Sequence, residues 1–311
     1  MEPDWSRWQQ RLKASGEMLE IHPSLLRDVA LPMLRWLKQR LASGSIGKPP
    51  VLALNGPVGS GKTSLTRVLR KLAAMDGVPL AVVSIDDVYL PWPERREVLK
   101  GNPFGVWRVP PGSHDVRLLL TQLDHWRRHG VLQMPRFDKT LAEGHGDRRG
   151  WSETVADAVV IEGWLMGCRA LGPTLLGKKI AAGQGVDELT TTERSWLHHW
   201  DRELETYHGL WQACDGLWLL RPARWSLPRR WRFQAEARQR RSGGGWLPAK
   251  DVDCLVRATL HSLPPSLYQD PLLKGVVAHR SSPPAGEGPI GVGHLPILGV
   301  GVLDNQRRCQ V

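Results

Sequence analysis

Apolar residues along the chain fall into two alternating kinds of segment. Short apolar runs occur at Val51–Leu54, Leu80–Ile85, Asp157–Ile161 and Gly216–Leu220, with a further one at Leu295–Leu303. Runs of this length with little polar alternation predict strands buried on both faces. Between them, apolar positions recur at helical spacing. Val29, Met33, Leu34, Leu37 and Leu41 form one face, which Gly44-Ser45 closes. Leu65, Val68, Leu69 and Leu72 form another, stopped at Gly77. Val116–Arg128 predicts a helix with Leu119, Leu120, Leu123 and Trp126 inward, and helices are also expected over 188–213, 223–242 and Asp251–Leu263. Residues 91–113, 135–151 and 281–293 read as loops: the first and last are rich in Pro and Gly, the second is polar, Gly-rich and basic. Strands alternating with helices predict an α/β fold with parallel pairing and right-handed crossovers.

The first strand runs directly into Gly56-Pro-Val-Gly-Ser-Gly-Lys-Thr63, a phosphate-binding loop pattern, and the helical spacing starts just after it. Strand, glycine loop and helix in this order imply a P-loop NTPase fold binding a nucleoside triphosphate with Mg²⁺. Glycines let successive N–H groups face one anion, and the helix N-terminus adds positive potential. Gly56, Val58, Gly59, Ser60, Gly61, Lys62, Thr63 and Ser64 are the expected triphosphate-binding residues. Lys62 brings a charge to the outer phosphates and the Thr63 hydroxyl ligates Mg²⁺.

Ligands of open α/β sheets sit beyond the carboxyl ends of the strands. The second strand ends in Asp86-Asp87 and the third in Glu162. Glu162 fits a carboxylate acting on Mg²⁺ directly or through water. Asp86 is the candidate base for an acceptor hydroxyl, with a metal-bound water as its other role and Asp87 as the second choice. The segment 108–149 carries more cations than anions. Arg108, Arg136 and Arg148 are candidates for an anionic substrate, and His114, Asp115 and Asp138 for its hydroxyls. After the fourth strand, arginines including Arg232 and Arg238 share helical faces. They form either a lid over the phosphates or a solvated basic surface.

Composition narrows the class. The 311 residues carry a formal charge of +11, and the four cysteines are far apart without metal-ligand spacing. No stretch approaches a membrane span and the N-terminus lacks the pattern of a secretory signal, so a cytoplasmic protein is expected. The basic balance suits anionic nucleotide and substrate or a nucleic-acid backbone. Fifteen Trp accompany only three Phe.

Beyond the loop motif, Ser84-Ile-Asp-Asp-Val-Tyr89, Pro111-Gly-Ser-His-Asp115, Pro135-Arg-Phe-Asp-Lys139, Gly146-Asp-Arg148, Glu162-Gly-Trp164 and Trp231-Arg-Phe-Gln-Ala-Glu236 occur in an order that resembles the D-glycerate 3-kinases of plants and cyanobacteria. The resemblance covers roughly residues 50–260. It implies a parallel core of about five strands with a helical lid, and ATP and Mg²⁺ as cofactors. The implied reaction is phosphotransfer to the 3-hydroxyl of D-glycerate, giving 3-phosphoglycerate for photorespiratory carbon recovery. In the wider group, which includes uridine kinase, phosphoribulokinase and pantothenate kinase, a catalytic Asp stands where Asp86 does and a metal-linked carboxylate near Glu162. The chain departs from the pattern at Ser242-Gly-Gly-Gly-Trp246, where a Lys-Gly segment is usual, and at Phe137, where Tyr is usual.

The expected organisation is an N-terminal helical extension over 1–48, a kinase domain over 49–278 with a lid at about 223–246, a loop over 279–294 and a C-terminal strand and tail over 295–311. The alternatives are the same chemistry on uridine, pantothenate or a sugar phosphate, and an ATP-binding protein acting on nucleic acid. The expected partner is a small anionic substrate, with nucleic acid and membrane disfavoured and the oligomeric state left open.

Overall fold

A computed structural model describes residues 8, 11, 21–43, 48–243, 246–273 and 295–310. A helical turn at Pro23–Leu25 and a π-helical stretch at Leu26–Ala30 lead into α1 (Leu31–Ala42). Then follow β1 (Val51–Asn55), α2 (Lys62–Met75), β2 (Leu80–Ser84), α3 (Trp92–Val98), α4 (Val116–His129), β3 (Val131–Asp138), β4 (Asp147–Val155) and β5 (Ala158–Gly163). The chain continues through α5 (Pro173–Ala181), α6 (Thr191–Glu205), α7 (His208–Ala213), β6 (Gly216–Pro222), α8 (Leu227–Arg241), α9 (Ala249–His261), β7 (Ile297–Leu303) and β8 (Cys309–Gln310).

The main sheet has the order β2-β5-β1-β6-β7-β8. Its first five strands are parallel, as expected, and β8 adds an antiparallel edge. Every residue of β1 and β5 is buried, which is why both read as continuous apolar runs. Successive side chains alternate between two apolar layers. Val51, Ala53, Val159 and Ile161 face Leu119, Leu123 and Trp126 of α4 and Leu197 and Trp200 of α6. Leu52, Leu54, Val160 and Leu220 face Leu65, Leu69 and Leu72 of α2 and Met33, Leu34 and Leu37 of α1. Each fully buried Leu or Val contributes about 1.5–3 kcal/mol. Residues 21–43 therefore pack into the layer beneath the sheet, and the amide of Cys309 on β8 donates to Ser24 Oγ at 2.8 Å.

Three of the Trp residues have a visible physical role. Trp126, Trp211 and Trp231 are buried, and their indole N–H groups donate to the carbonyls of Ala156, Cys168 and Asn305 at 2.8, 2.8 and 3.2 Å. Each ring fills core volume and also satisfies a main-chain acceptor, which Phe cannot do.

Three expectations are corrected. Residues 135–151 are not loop: β3 and β4 pair antiparallel, with a register shift between Pro135 and Phe137. Pro, Gly and charge obscured the alternation there, because the hairpin buries only part of one face. The stretch 91–113 contains α3, whose Pro93 is tolerated in the first turn. The helix expected over 188–213 is two helices, α6 and α7, broken at Thr206-Tyr207. The expected loop at 279–294, the closing Gly44-Ser45 and two of the three lid glycines lie outside the described residues.

One buried cation ties the hairpin to the loops above the sheet. Arg95 on α3 is fully buried. Its guanidinium donates to the carbonyls of Trp107 at 2.7 Å and His145 at 3.1 Å, and to those of Leu90 and Gly146. Tyr89, Trp92 and Phe137 hold its charge against their rings, with centroids 5.6, 5.6 and 5.1 Å away. Gly146 must lack a side chain: its φ is +85°, and a Cβ would lie 2.4 Å from the Phe137 ring. Arg95→Leu would strand the carbonyls of Leu90, Trp107 and Gly146 and leave that of His145 only its 3.4 Å contact with Arg108, so we expect a loss of about 3–5 kcal/mol of stability in urea unfolding. A loss below 1 kcal/mol would show that the loops do not depend on this cation.

Candidate active site

Parallel register sets the site. Leu54 of β1 and Ser84 of β2 both pair with Glu162 of β5, so the three strands end at one level. Beyond β1 the chain turns sharply, with Gly59 at φ +75° and Gly61 at φ +92°, a region that favours glycine. Gly59 is also closely covered, because a Cβ there would lie 2.9 Å from the amide of Arg232 on α8. Lys62 Nζ donates to the carbonyls of Gly56 at 2.7 Å and Pro57 at 3.2 Å. Burial lowers the Lys62 pKa, opposed by Glu162 and then Asp86. The buried Ser60 hydroxyl has no hydrogen-bond partner among the described residues. A glycine loop at a helix N-terminus with a lysine and a spare hydroxyl is suited to an anion.

Thr63 Oγ1 donates to Glu162 Oε1 at 2.8 Å, which brings two of the three expected metal residues together. Glu162 is 4% exposed, and burial raises its pKa against the pull of Lys62. A hydroxyl and a carboxylate of this kind fit a hard divalent cation, which would favour the charged carboxylate.

Ser84 caps a short 3₁₀ turn, Ile85–Val88, that carries both aspartates. Asp87 closes the capping box, its Oδ2 accepting from the Ser84 amide at 3.3 Å. Burial pushes the Asp87 carboxyl up to about 6 despite that bond, with Asp86 and Glu162 adding to the rise. Asp86 behaves oppositely. Packing in the cleft pushes its carboxyl up, but His114, Lys139 and Tyr89 outweigh this and hold it below the usual range. The side chain keeps 46% of its surface open, so its desolvation is partial. Tyr89 donates to its Oδ1 at 2.8 Å. Of the two neighbours, Asp86 is the one whose surroundings favour the charged carboxylate and leave it reachable.

The expected substrate residues divide. Arg108 lies within electrostatic reach of Tyr89, and its guanidinium meets the His145 carbonyl at 3.4 Å. His114 Nε2 lies 4.0 Å from Asp86 Oδ1. Asp115 and Arg148 pair with each other at 2.9 Å, while Asp115 caps α4 through the Leu118 amide and Arg148 Nε holds the Tyr89 carbonyl. Asp138 is engaged at the hairpin turn, where bonds from Thr140 and then Arg149 hold it at about 2. Arg136 is exposed on β3. Lys139, from the same hairpin, extends its charge to Asp86 and Asp87.

On the other side, Gly59–Ser64, Arg232 and Arg238 line a cleft of about 620 Å³, together with Ile21, His22 and Leu25. Arg232 forms an ion pair with Glu236 one turn along α8. Arg307, in the β7–β8 turn, was not foreseen. Its guanidinium donates to the carbonyls of Gly59 at 2.7 Å and Trp231 at 3.0 Å, bridging the phosphate loop to α8. Burial, and then Arg238, depress its pKa to about 10. No local motif marks this residue; only the tertiary path of β7 and β8 brings it here.

No family model matches the chain. The chain is 27% identical over 263 residues to the chloroplastic D-glycerate 3-kinase of Arabidopsis thaliana, covering 77% of this chain and 55% of that protein. The chain thus spans about half the length of that relative. It is 29% identical over 202 residues to the uncharacterized kinase mug58 of Schizosaccharomyces pombe, covering 61% of this chain and 71% of that one. Among solved structures, D-glycerate 3-kinase from Cryptococcus neoformans var. grubii superposes with a TM-score of 0.75 at 25% identity, over 91% of this chain and 97% of that one. The chain has the fold of a D-glycerate 3-kinase. The resemblance in the sequence motifs therefore extends to the three-dimensional structure. The YGR205w protein shares the fold as well, with a TM-score of 0.65 at 19% identity. Among the described residues no helix is long and apolar enough to cross a membrane.

The Arg307 bridge gives a test of the cleft. Arg307→Ala should weaken nucleoside triphosphate binding about tenfold by calorimetry, the effect of losing ~1.4 kcal/mol. Unchanged affinity would remove Arg307 from the site.

Proposed function

We propose that this chain is an ATP-dependent D-glycerate 3-kinase, producing 3-phosphoglycerate and ADP. The observation that carries the phosphotransfer reading is the meeting, at one sheet edge, of an anion-binding loop, the Thr63–Glu162 pair and an ionised, accessible Asp86. The identity of the acceptor is supported by the motif set and by the similarity to D-glycerate 3-kinases from two organisms.

In this reading ATP lies along the cleft with its phosphates over Gly56–Ser64. Lys62 exchanges its carbonyl partners for the outer phosphate oxygens. The Thr63 hydroxyl and Glu162 would hold Mg²⁺, which would supply charge neutralisation of the phosphates. The 3-hydroxyl oxygen of glycerate forms a bond to the γ-phosphorus while the bond to the ADP oxygen breaks. The hydroxyl proton passes to Asp86, whose Oδ1 is steadied by Tyr89, leaving Oδ2 to receive it. Arg108 and Lys139 supply positive charge near the acceptor, suited to its carboxylate. α8 closes as a lid with Arg232 and Arg238 toward the phosphates and excludes water. The product belongs to photorespiratory carbon recovery.

An acceptor panel with Mg-ATP tests the reading. D-glycerate should be phosphorylated, and uridine, pantothenate and ribulose 5-phosphate should not. Asp86→Asn should lower kcat about 10²–10⁴-fold, with ATP affinity nearly unchanged. Turnover of another panel member without turnover of D-glycerate would sink the acceptor assignment. An Asp86→Asn variant with full kcat would sink the assignment of the base.

A further inference from the structure

One polar group beside Asp86 has no part in the reaction described above. The His114 side chain is fully buried, and its Nε2 has no hydrogen-bond partner among the described residues. An interior donor in that state is costly unless it gains a partner during function. Its surroundings suit one tautomer. The Gly112 amide donates to the Tyr207 hydroxyl oxygen at 3.1 Å. That leaves the hydroxyl proton free to point at His114 Nδ1, 2.7 Å away. With Nδ1 accepting, the ring proton sits on Nε2. Burial lowers the basicity of the imidazole, which keeps it neutral.

This N–H lies next to the proposed base. Nε2 is 4.0 Å from Asp86 Oδ1, too far for a hydrogen bond. The ring is also stacked on Tyr89, centroids 4.6 Å apart at 19°, and Tyr89 already bonds the same Asp86 oxygen. A shift of about 1 Å would bring Nε2 and Oδ1 to bonding distance. The buried ring offers no surface to a substrate. Its burial therefore sets it behind Asp86 rather than against an acceptor hydroxyl, the role its sequence position suggested.

We propose that His114 is a positioning residue for Asp86. Its Nε2–H, held in that tautomer by Tyr207, bonds the Asp86 carboxylate when the acceptor is in place and fixes Oδ2 toward the reacting hydroxyl. The inference rests on Asp86 acting as the base of the phosphotransfer.

The full-length chain is compared with His114→Leu, His114→Gln and Tyr207→Phe, using Mg-ATP and the acceptor that the wild type turns over. His114→Leu should lower kcat roughly 10–100-fold with both KM values nearly unchanged, the pattern of a lost transition-state contact. Glutamine, whose amide N–H reaches the place of Nε2, should recover most of the loss, and Tyr207→Phe should fall between. A raised acceptor KM with intact kcat in His114→Leu would make His114 a substrate ligand and overturn the proposal, as would equal losses in Leu and Gln. Imidazole ¹⁵N shifts of the wild type should report the Nε2–H tautomer and need no acceptor; an Nδ1–H ring overturns the proposal even if the leucine variant fails to fold. Failure of D-glycerate alone in the panel counts against the acceptor assignment and leaves both readouts of His114 intact.

Discussion

Parallel register is the constraint on which the site depends. Main-chain hydrogen bonds between β2, β5 and β1 admit no independent sliding, because a slip of one residue would exchange the side chains that pack into the two apolar layers. Ser84, Glu162 and Leu54 therefore stand side by side. The segments that follow them, the 3₁₀ turn with Asp86 and the glycine loop with Lys62, are delivered to the same edge. The Thr63–Glu162 bond is a direct result, joining residues 99 positions apart in sequence. None of this requires recognition between the functional side chains. The apolar layers on both faces hold the strands, and the strands hold the chemistry.

Electrostatics then separates groups of the same kind. Three carboxylates share one small region, yet burial raises Glu162 and Asp87 whereas the polar neighbours of Asp86 lower it. Lys62 restrains the rise of Glu162, while Glu162 and Asp86 oppose the lowering of Lys62 by burial. The site is thus built from opposed shifts, with one carboxylate kept charged and open while its neighbours serve a cap and a candidate cation position.

Much of this was legible in the sequence, for reasons that differ by segment. β1, β5 and β6 are buried on both faces and β2 on one face with the other half-buried, so their apolar runs speak for themselves, and the glycine loop has a local pattern. The hairpin β3–β4 was illegible because its stabilising contacts are not periodic: a caged arginine, a side-chain-free Gly146 against Phe137, and a pair between Asp115 and Arg148. The candidate acceptor residues were recognisable as polar but not by role. Asp115 and Arg148 neutralise each other, with Arg148 also holding the Tyr89 carbonyl, Asp138 secures a turn, and Arg108 and His114 lie near Tyr89 and Asp86. Arg307 was invisible because the strand pair that carries it is separated from the phosphate loop by more than two hundred residues.

Arg95 has a further consequence, for how the molecule opens. Its acceptors come from residues 90, 107, 145 and 146, three separate stretches of chain with no sheet connecting them all. Releasing any one leaves a buried guanidinium short of partners, so the stretches share a single opening event rather than fraying one by one. The acceptor side of the cleft is therefore a cooperative unit within the fold, and its amides should exchange with solvent as one block.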